Sequence, residues 1–227
     1  IAFVESIVGS MSGGMKTIID RCSRNIYEAY ENSRFSDLSL LPNLKIFYDE
    51  ILKQPEPEAK QLGLILERYV YGTVDIYAHE TNVNINNRFI NFDLHNLPTS
   101  MQNTGYLVVL DYIMNRLSAN KTKGKYTHIF IDEFHILLSN QFSAEYIAKI
   151  YKTGRKFNAI PTVITQNITD VIENEFGLKI LGNSEFAKIL KQKSLDLPII
   201  RNIFSISDEE AKSLVGSKKG QGVLVFG

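Results

Sequence analysis

Apolar positions recur at helical spacing through the first third of the chain. Met15, Ile18, Ile19, Cys22, Ile26 and Tyr30 fall on one face, and Leu44, Phe47, Tyr48, Ile51 and Leu52 on another. Pro42 and Pro57 stand where helices begin, and the polar run from Gln54 to Glu58 separates two of them. This half reads as a helical bundle extending to about Tyr71. After Gly72 the signal changes. RFINFDLHNL, Arg88 to Leu97, is strand-like, and a helix is expected from Pro98 to Leu117. Its residues Leu107, Val108, Val109, Leu110, Ile113 and Met114 leave few polar sides, which predicts burial against a sheet.

From Lys125 onward, short apolar runs alternate with helical segments. A strand rich in Ile129, Phe130 and Ile131 is followed by a helix from Ser143 to Phe157, then AIPTVIT as a strand leading to Gln166. A helix from Ile168 to Phe176, a strand over Glu185 to Leu190, helices Pro198 to Phe204 and Ser207 to Val215, and a last strand GVLVFG complete the order. Such alternation specifies an α/β fold with a mainly parallel, helix-covered sheet, whose ligands gather at the carboxyl ends of the strands. Asp132, Glu133 and Gln166 are all expected on that edge.

With 227 residues the chain can bury a substantial core. Its 25 basic and 25 acidic side chains balance, so net charge supplies no general attraction to nucleic acid or anionic lipid. Cys22 is the single cysteine, which precludes an internal disulfide and fits a reducing, cytoplasmic setting. No apolar run approaches the roughly 20 residues a membrane-spanning helix needs. The chain opens on IAFVESIV without an initiator Met, as expected of a piece excised from a longer protein.

Two adjacent acids closing a buried strand have no packing reason to be there. In a phosphate-handling α/β fold such an Asp holds Mg²⁺, and the neighbouring Glu polarises the water that attacks the γ-phosphate, the Walker B arrangement. Asp132 could instead cap the helix that starts near Phe134. Gln166 can sense a γ-phosphate or help place water; equally, Thr165 to Asn167 can be a helix-capping segment. Arg155 and Lys156 sit where cations favour a helix carboxyl end, or where an arginine could reach a neighbouring subunit's nucleotide. His135 lies in no zinc-type spacing with His79, His95 or His128 and is expected to pack or bond locally. Lys188, Lys191, Lys193, Lys218 and Lys219 read as solvated edges, with a nucleic-acid groove as the alternative.

The phosphate loop G-x-x-x-x-G-K-[ST] is missing. Gly9 to Thr17, GSMSGGMKT, comes near, but Met15 stands between the last glycine and Lys16. The segment reads as a connection between two helices, and the phosphate loop is expected upstream of Ile1.

FIDEFHILL, TGRKFNAIPTVITQN and the tail SLVGSKKGQGVLVFG, preceded by ETNVNINNRFINFDLHNL, resemble the VirB/TraE-type ATPases of conjugative transfer and type IV secretion. The likeness spans most of the chain in the family's order. It implies a RecA-like P-loop NTPase core over residues 81–227, lacking the phosphate loop, with an all-helical lobe over residues 1–80. By the resemblance, Asp132 holds Mg²⁺ and Glu133 is the catalytic glutamate of an ATP hydrolase. Gln166 is then the polar sensor, Arg155 with Lys156 the basic motif reaching an adjacent subunit, and Gly220, Gln221 and Gly222 the late glycine motif. The implied cofactors are ATP and Mg²⁺. The implied partners are further copies of the chain, a hexamer being one form, and other secretion-channel components at the inner face of the membrane. Beginning after the phosphate loop, the piece itself is expected to be inactive. A DExH-type helicase, suggested by Asp132 to His135, and a non-catalytic module of the secretion machinery stand as alternatives, with direct nucleic-acid contact open.

Overall fold

The computed structural model describes residues 2–79 and 85–226, apart from the side chains of 2, 99 and 100. It divides into two compact units, Ile1–Gly105 and Tyr106–Gly227.

The first unit is helical. α1 (Ala2–Val8) ends at Gly9, whose φ of +81° suits a residue without a β-carbon. α2 (Gly13–Asn32) starts under Ser12, whose side chain accepts from the Met15 N–H. The GSMSGGMKT segment is thus a turn between helices, as its pattern predicts, and Lys16 Nζ pairs with Glu5 Oε1 at 3.3 Å. α3 (Leu44–Leu52) is capped by Asn43, and α4 (Pro57–Val70) carries Pro57 in its first turn, where the missing N–H costs nothing. Ile18, Ile19, Cys22, Ile51, Leu62 and Leu66 form the centre of the core. Each contributes about 1.5–3 kcal/mol by leaving water. Leu52, expected inside, is 53% exposed, yet its Cδ2 lies 2.7 Å from where a β-carbon on Gly63 would stand.

The strand expected over Arg88 to Leu97 is not formed: residues 85–97 are turns, bends and irregular backbone, and 80–84 of the family-like stretch fall outside the described residues. Local side-chain chemistry competes there with a ladder, since Asp93 Oδ1 accepts the His95 N–H at 2.9 Å. The segment packs instead through Leu94 and Leu97 onto Gly105 of α5 (Thr99–Thr122). α5 runs five residues beyond its expected end, and of its apolar set Leu110 is buried while Val108 is 42% exposed.

The second unit holds β1 (Thr127–Ile131), α6 (Phe134–Leu138), α7 (Gln141–Thr153), β2 (Ala159–Val163), α8 (Ile168–Ile172) and α9 (Glu175–Leu181). β3 (Phe186–Leu190), α10 (Leu197–Phe204), α11 (Asp208–Gly216) and β4 (Gly222–Phe226) follow. β1 and β2 pair in parallel, Ile129 opposite Pro161, above a core that includes Ile129, Phe134, Ile147, Ile150 and Ile180. β3 and β4 pair antiparallel as a separate two-stranded sheet, where the alternation alone predicts a parallel one. Periodicity marks which residues form strands and leaves the direction of their pairing to non-local hydrogen bonding, which here sets Ile189 opposite Val223 in antiparallel register. The helix expected over Ile168 to Phe176 is broken in two because Asn174 caps α9, accepting from the Phe176 and Gly177 N–H groups.

Candidate active site

The carboxyl ends of β1 and β2 build the site through one residue of β2's extension. The Ile164 N–H donates to the Ile131 carbonyl at 2.8 Å, and the Ile164 carbonyl accepts from the Phe134 N–H at 2.9 Å. Asp132 and Glu133 lie between those two bonds, outside the ladder. Spanning this excursion forces Glu133 into the left-handed region, φ 47° and ψ 46°. A residue with a β-carbon pays roughly 1–2 kcal/mol there, and such strain concentrates at functional sites. Asp132 Oδ1 accepts the Glu133 N–H at 3.0 Å, so this acid stabilises the turn rather than capping α6.

Gln166 Nε2 donates to Glu133 Oε1 at 2.6 Å. Sensor and cap are both open to Gln166 in sequence, and the neighbouring residues divide those tasks. Asn167 caps α8 by accepting from the Thr169 N–H at 3.3 Å, which leaves Gln166 for Glu133. Glu133, Gln166, His135, Ile136, Asn167 and Asp170 line an open cleft of about 450 Å³. Asp170 is an addition that sequence reasoning missed, while His135, expected to pack or bond locally, also lines the cleft. His135 Nδ1 lies 3.4 Å from Glu133 Oε2, and Asp170 Oδ1 accepts from Asn167 Nδ2 at 3.2 Å. An Asp three residues after a helix cap is a readable sign for Asp170.

The remaining candidates are elsewhere in the unit. Arg155 and Lys156 occupy a 3₁₀ turn, Gly154–Phe157, immediately ahead of β2, at the end opposite Gln166. Five strand residues at about 3.3 Å each put them roughly 15 Å from the acids. The Arg155 side chain is 90% exposed and donates to Glu185 Oε1. Gly220 takes φ +84° in a turn that Gln221 closes on itself, its Oε1 accepting the Lys218 N–H at 3.0 Å. A β-carbon on Gly222 would stand 2.0 Å from the Ile189 carbonyl oxygen, so glycine there serves the β3–β4 pairing. None of Gly220, Gln221 and Gly222 lines the cleft.

For a nucleotide with Mg²⁺, these residues fit the hydrolytic side. Asp132 is exposed and keeps free lone pairs, sufficient for an ion that usually takes one or two carboxylates and completes its shell with water and phosphate. No cluster of three metal-ligating side chains exists among the described residues, and the cleft lining holds no lysine or arginine to cradle phosphates. No described helix is long and apolar enough to cross a membrane.

Comparison with known proteins bears on the fold and the family. The solved structure of VirB4 of Thermoanaerobacter pseudethanolicus superposes with a TM-score of 0.81 at 24% identity, over 99% of this chain and 64% of that one. The fold is therefore the α/β, RecA-like one that the sequence predicts, and the chain spans just under two-thirds of that relative's length. Among curated proteins none matches. The family model of the TraG P-loop domain matches residues 35–222, well over half of the sequence. The chain belongs to the TraG P-loop domain family.

Proposed function

We propose that this chain carries the water-activating side of an ATPase that powers conjugative transfer or type IV secretion, with its sites between subunits of an oligomer. The reading rests on the 2.6 Å bond between Gln166 and Glu133 at the mouth of a parallel strand pair. Residues 1–80 would be the helical lobe and 81–227 the core of a protein working in the cytoplasm against a membrane complex.

Glu133 takes the proton of a water whose oxygen attacks the γ-phosphorus, while the bond to the bridging oxygen breaks and ADP leaves with that electron pair. Gln166, within hydrogen-bond reach of Glu133, orients the same water and contacts the γ-phosphate. Mg²⁺ held by Asp132 would neutralise charge growing on the phosphoryl oxygens. Arg155, some 15 Å from its own acids by strand length, suits a neighbouring molecule's nucleotide, with Lys156 beside it. Gly220, Gln221 and Gly222 would border the nucleotide from the late turn. The G-x-x-x-x-G-K-[ST] pattern that cradles phosphates does not occur in these 227 residues.

The test is Glu133→Gln in the full-length protein. Nucleotide binding persists and turnover is abolished; hydrolysis at the wild-type rate would remove Glu133 from this role.

A further inference from the structure

The Glu133 carboxylate stands between two side chains, and only one of them is bonded to it. Gln166 Nε2 holds Oε1 at 2.6 Å; His135 Nδ1 lies 3.4 Å from Oε2 without hydrogen-bond alignment. That nitrogen is shielded from solvent and has no hydrogen-bond partner, although the imidazole as a whole is 36% exposed. Shielded polar atoms in folded proteins are nearly always paired, so an orphan facing a carboxylate marks a bond made in another state. The ring cannot travel far to find a different partner. It rises from the first turn of α6, which Phe134, Leu137 and Leu138 fix in the core. Glu133 is the mobile member, and a rotation that moves Oε2 inward by about half an ångström brings it to charge-assisted bonding distance.

We propose that His135 is a positioning residue for Glu133. In the tautomer with its proton on Nδ1, it receives the carboxylate when Gln166 turns to the γ-phosphate, and holds it in line with the attacking water. Glu133 thus has two seats, Gln166 before nucleotide is engaged and His135 during hydrolysis. The inference rests on the reading of Glu133 as the water-polarising group.

Three variants of the full-length protein separate the possibilities. The amide nitrogen of Asn falls where Nδ1 stands, that of Gln where Nε2 stands, and Phe keeps the ring without a donor. His135→Phe and His135→Gln are expected to lower kcat about tenfold with KM for ATP unchanged, whereas His135→Asn recovers to within about twofold. Equal turnover in all three, or equal loss in all three accompanied by a raised KM, would overturn the proposal in favour of simple packing. Unchanged thermal midpoints verify that each variant folds, and His135→Phe added to Glu133→Gln should leave the affinity for ATP at its Glu133→Gln value. A weaker affinity in the double variant would show His135 acting apart from Glu133 and sink the idea. Wild-type turnover in Glu133→Gln alone would instead dismiss the underlying hydrolytic reading.

Discussion

Replacing Glu133 by glycine and by alanine separates the backbone role of this position from its side chain. Both substitutions delete the carboxylate and its bond to Gln166, a partly exposed contact contributing about 0.5–1 kcal/mol. They differ in the left-handed conformation at φ 47°. Alanine retains the roughly 1–2 kcal/mol penalty of placing a β-carbon there, whereas glycine removes it and gives back about 0.4–1 kcal/mol through its freer unfolded chain. The difference leaves Glu133→Gly about 0.5–1 kcal/mol more stable than Glu133→Ala, the reverse of the order inside a helix. Urea denaturation reads this directly. With an m-value of about 2 kcal/mol/M, the glycine variant unfolds at a midpoint about 0.3–0.5 M higher. Should alanine prove the more stable of the two, Ile164 does not impose the strained turn, and the account of why both acids leave the ladder fails.

Other outcomes follow from separate parts of the fold. Arg155→Ala in the full-length protein lowers hydrolysis only under conditions where subunits associate; an equal loss in the monomer, checked by light scattering alongside turnover, assigns it a local role with Glu185. Gly177→Ala places a β-carbon 2.0 Å from the Val171 carbonyl oxygen and is expected to cost about 3 kcal/mol or prevent folding, while an unchanged denaturation midpoint would contradict the close α8–α9 approach. Burial pushes the Tyr77 and Tyr151 hydroxyls up to about 12 from an ordinary 10. The unfolded chain therefore loses these protons first as pH rises, so stability declines between about pH 10 and 12, and Tyr77→Phe with Tyr151→Phe flattens that limb. Tyr151→Phe alone also deprives the Val163 N–H of its acceptor at 3.1 Å, lowering the midpoint at neutral pH.

What the sequence disclosed is what periodicity controls. Ile18, Ile19 and Cys22 on α2, the β1 and β2 strands, and the helix that begins after Ser207 followed from spacing and local chemistry. The edge shared by Asp132, Glu133 and Gln166 was legible for the same reason. Non-local bonding was not. RFINFDLHNL has strand composition, yet no strand partners it among the described residues, and its leucines seat on Gly105 of α5. The left-handed Glu133 has no local signal either, since it arises from Ile164 bonding on both sides of the acid pair. The 3.4 Å approach of His135 to Glu133 spans that same left-handed turn and has no signal in the spacing of polar and apolar residues.

Ile164 has a mechanical consequence. Because its N–H is committed to the end of β1 and its carbonyl to the first residue of α6, the main chain bearing Gln166 and the main chain bearing the acids are riveted together. A nucleotide in the cleft could not pry them apart without breaking two backbone hydrogen bonds, so any signal passed between them travels by side-chain swivels over a rigid seat. Deuterium should enter the Phe134 and Ile164 amides slowly and at rates indifferent to nucleotide, even while the carboxylate and carboxamide above them exchange partners.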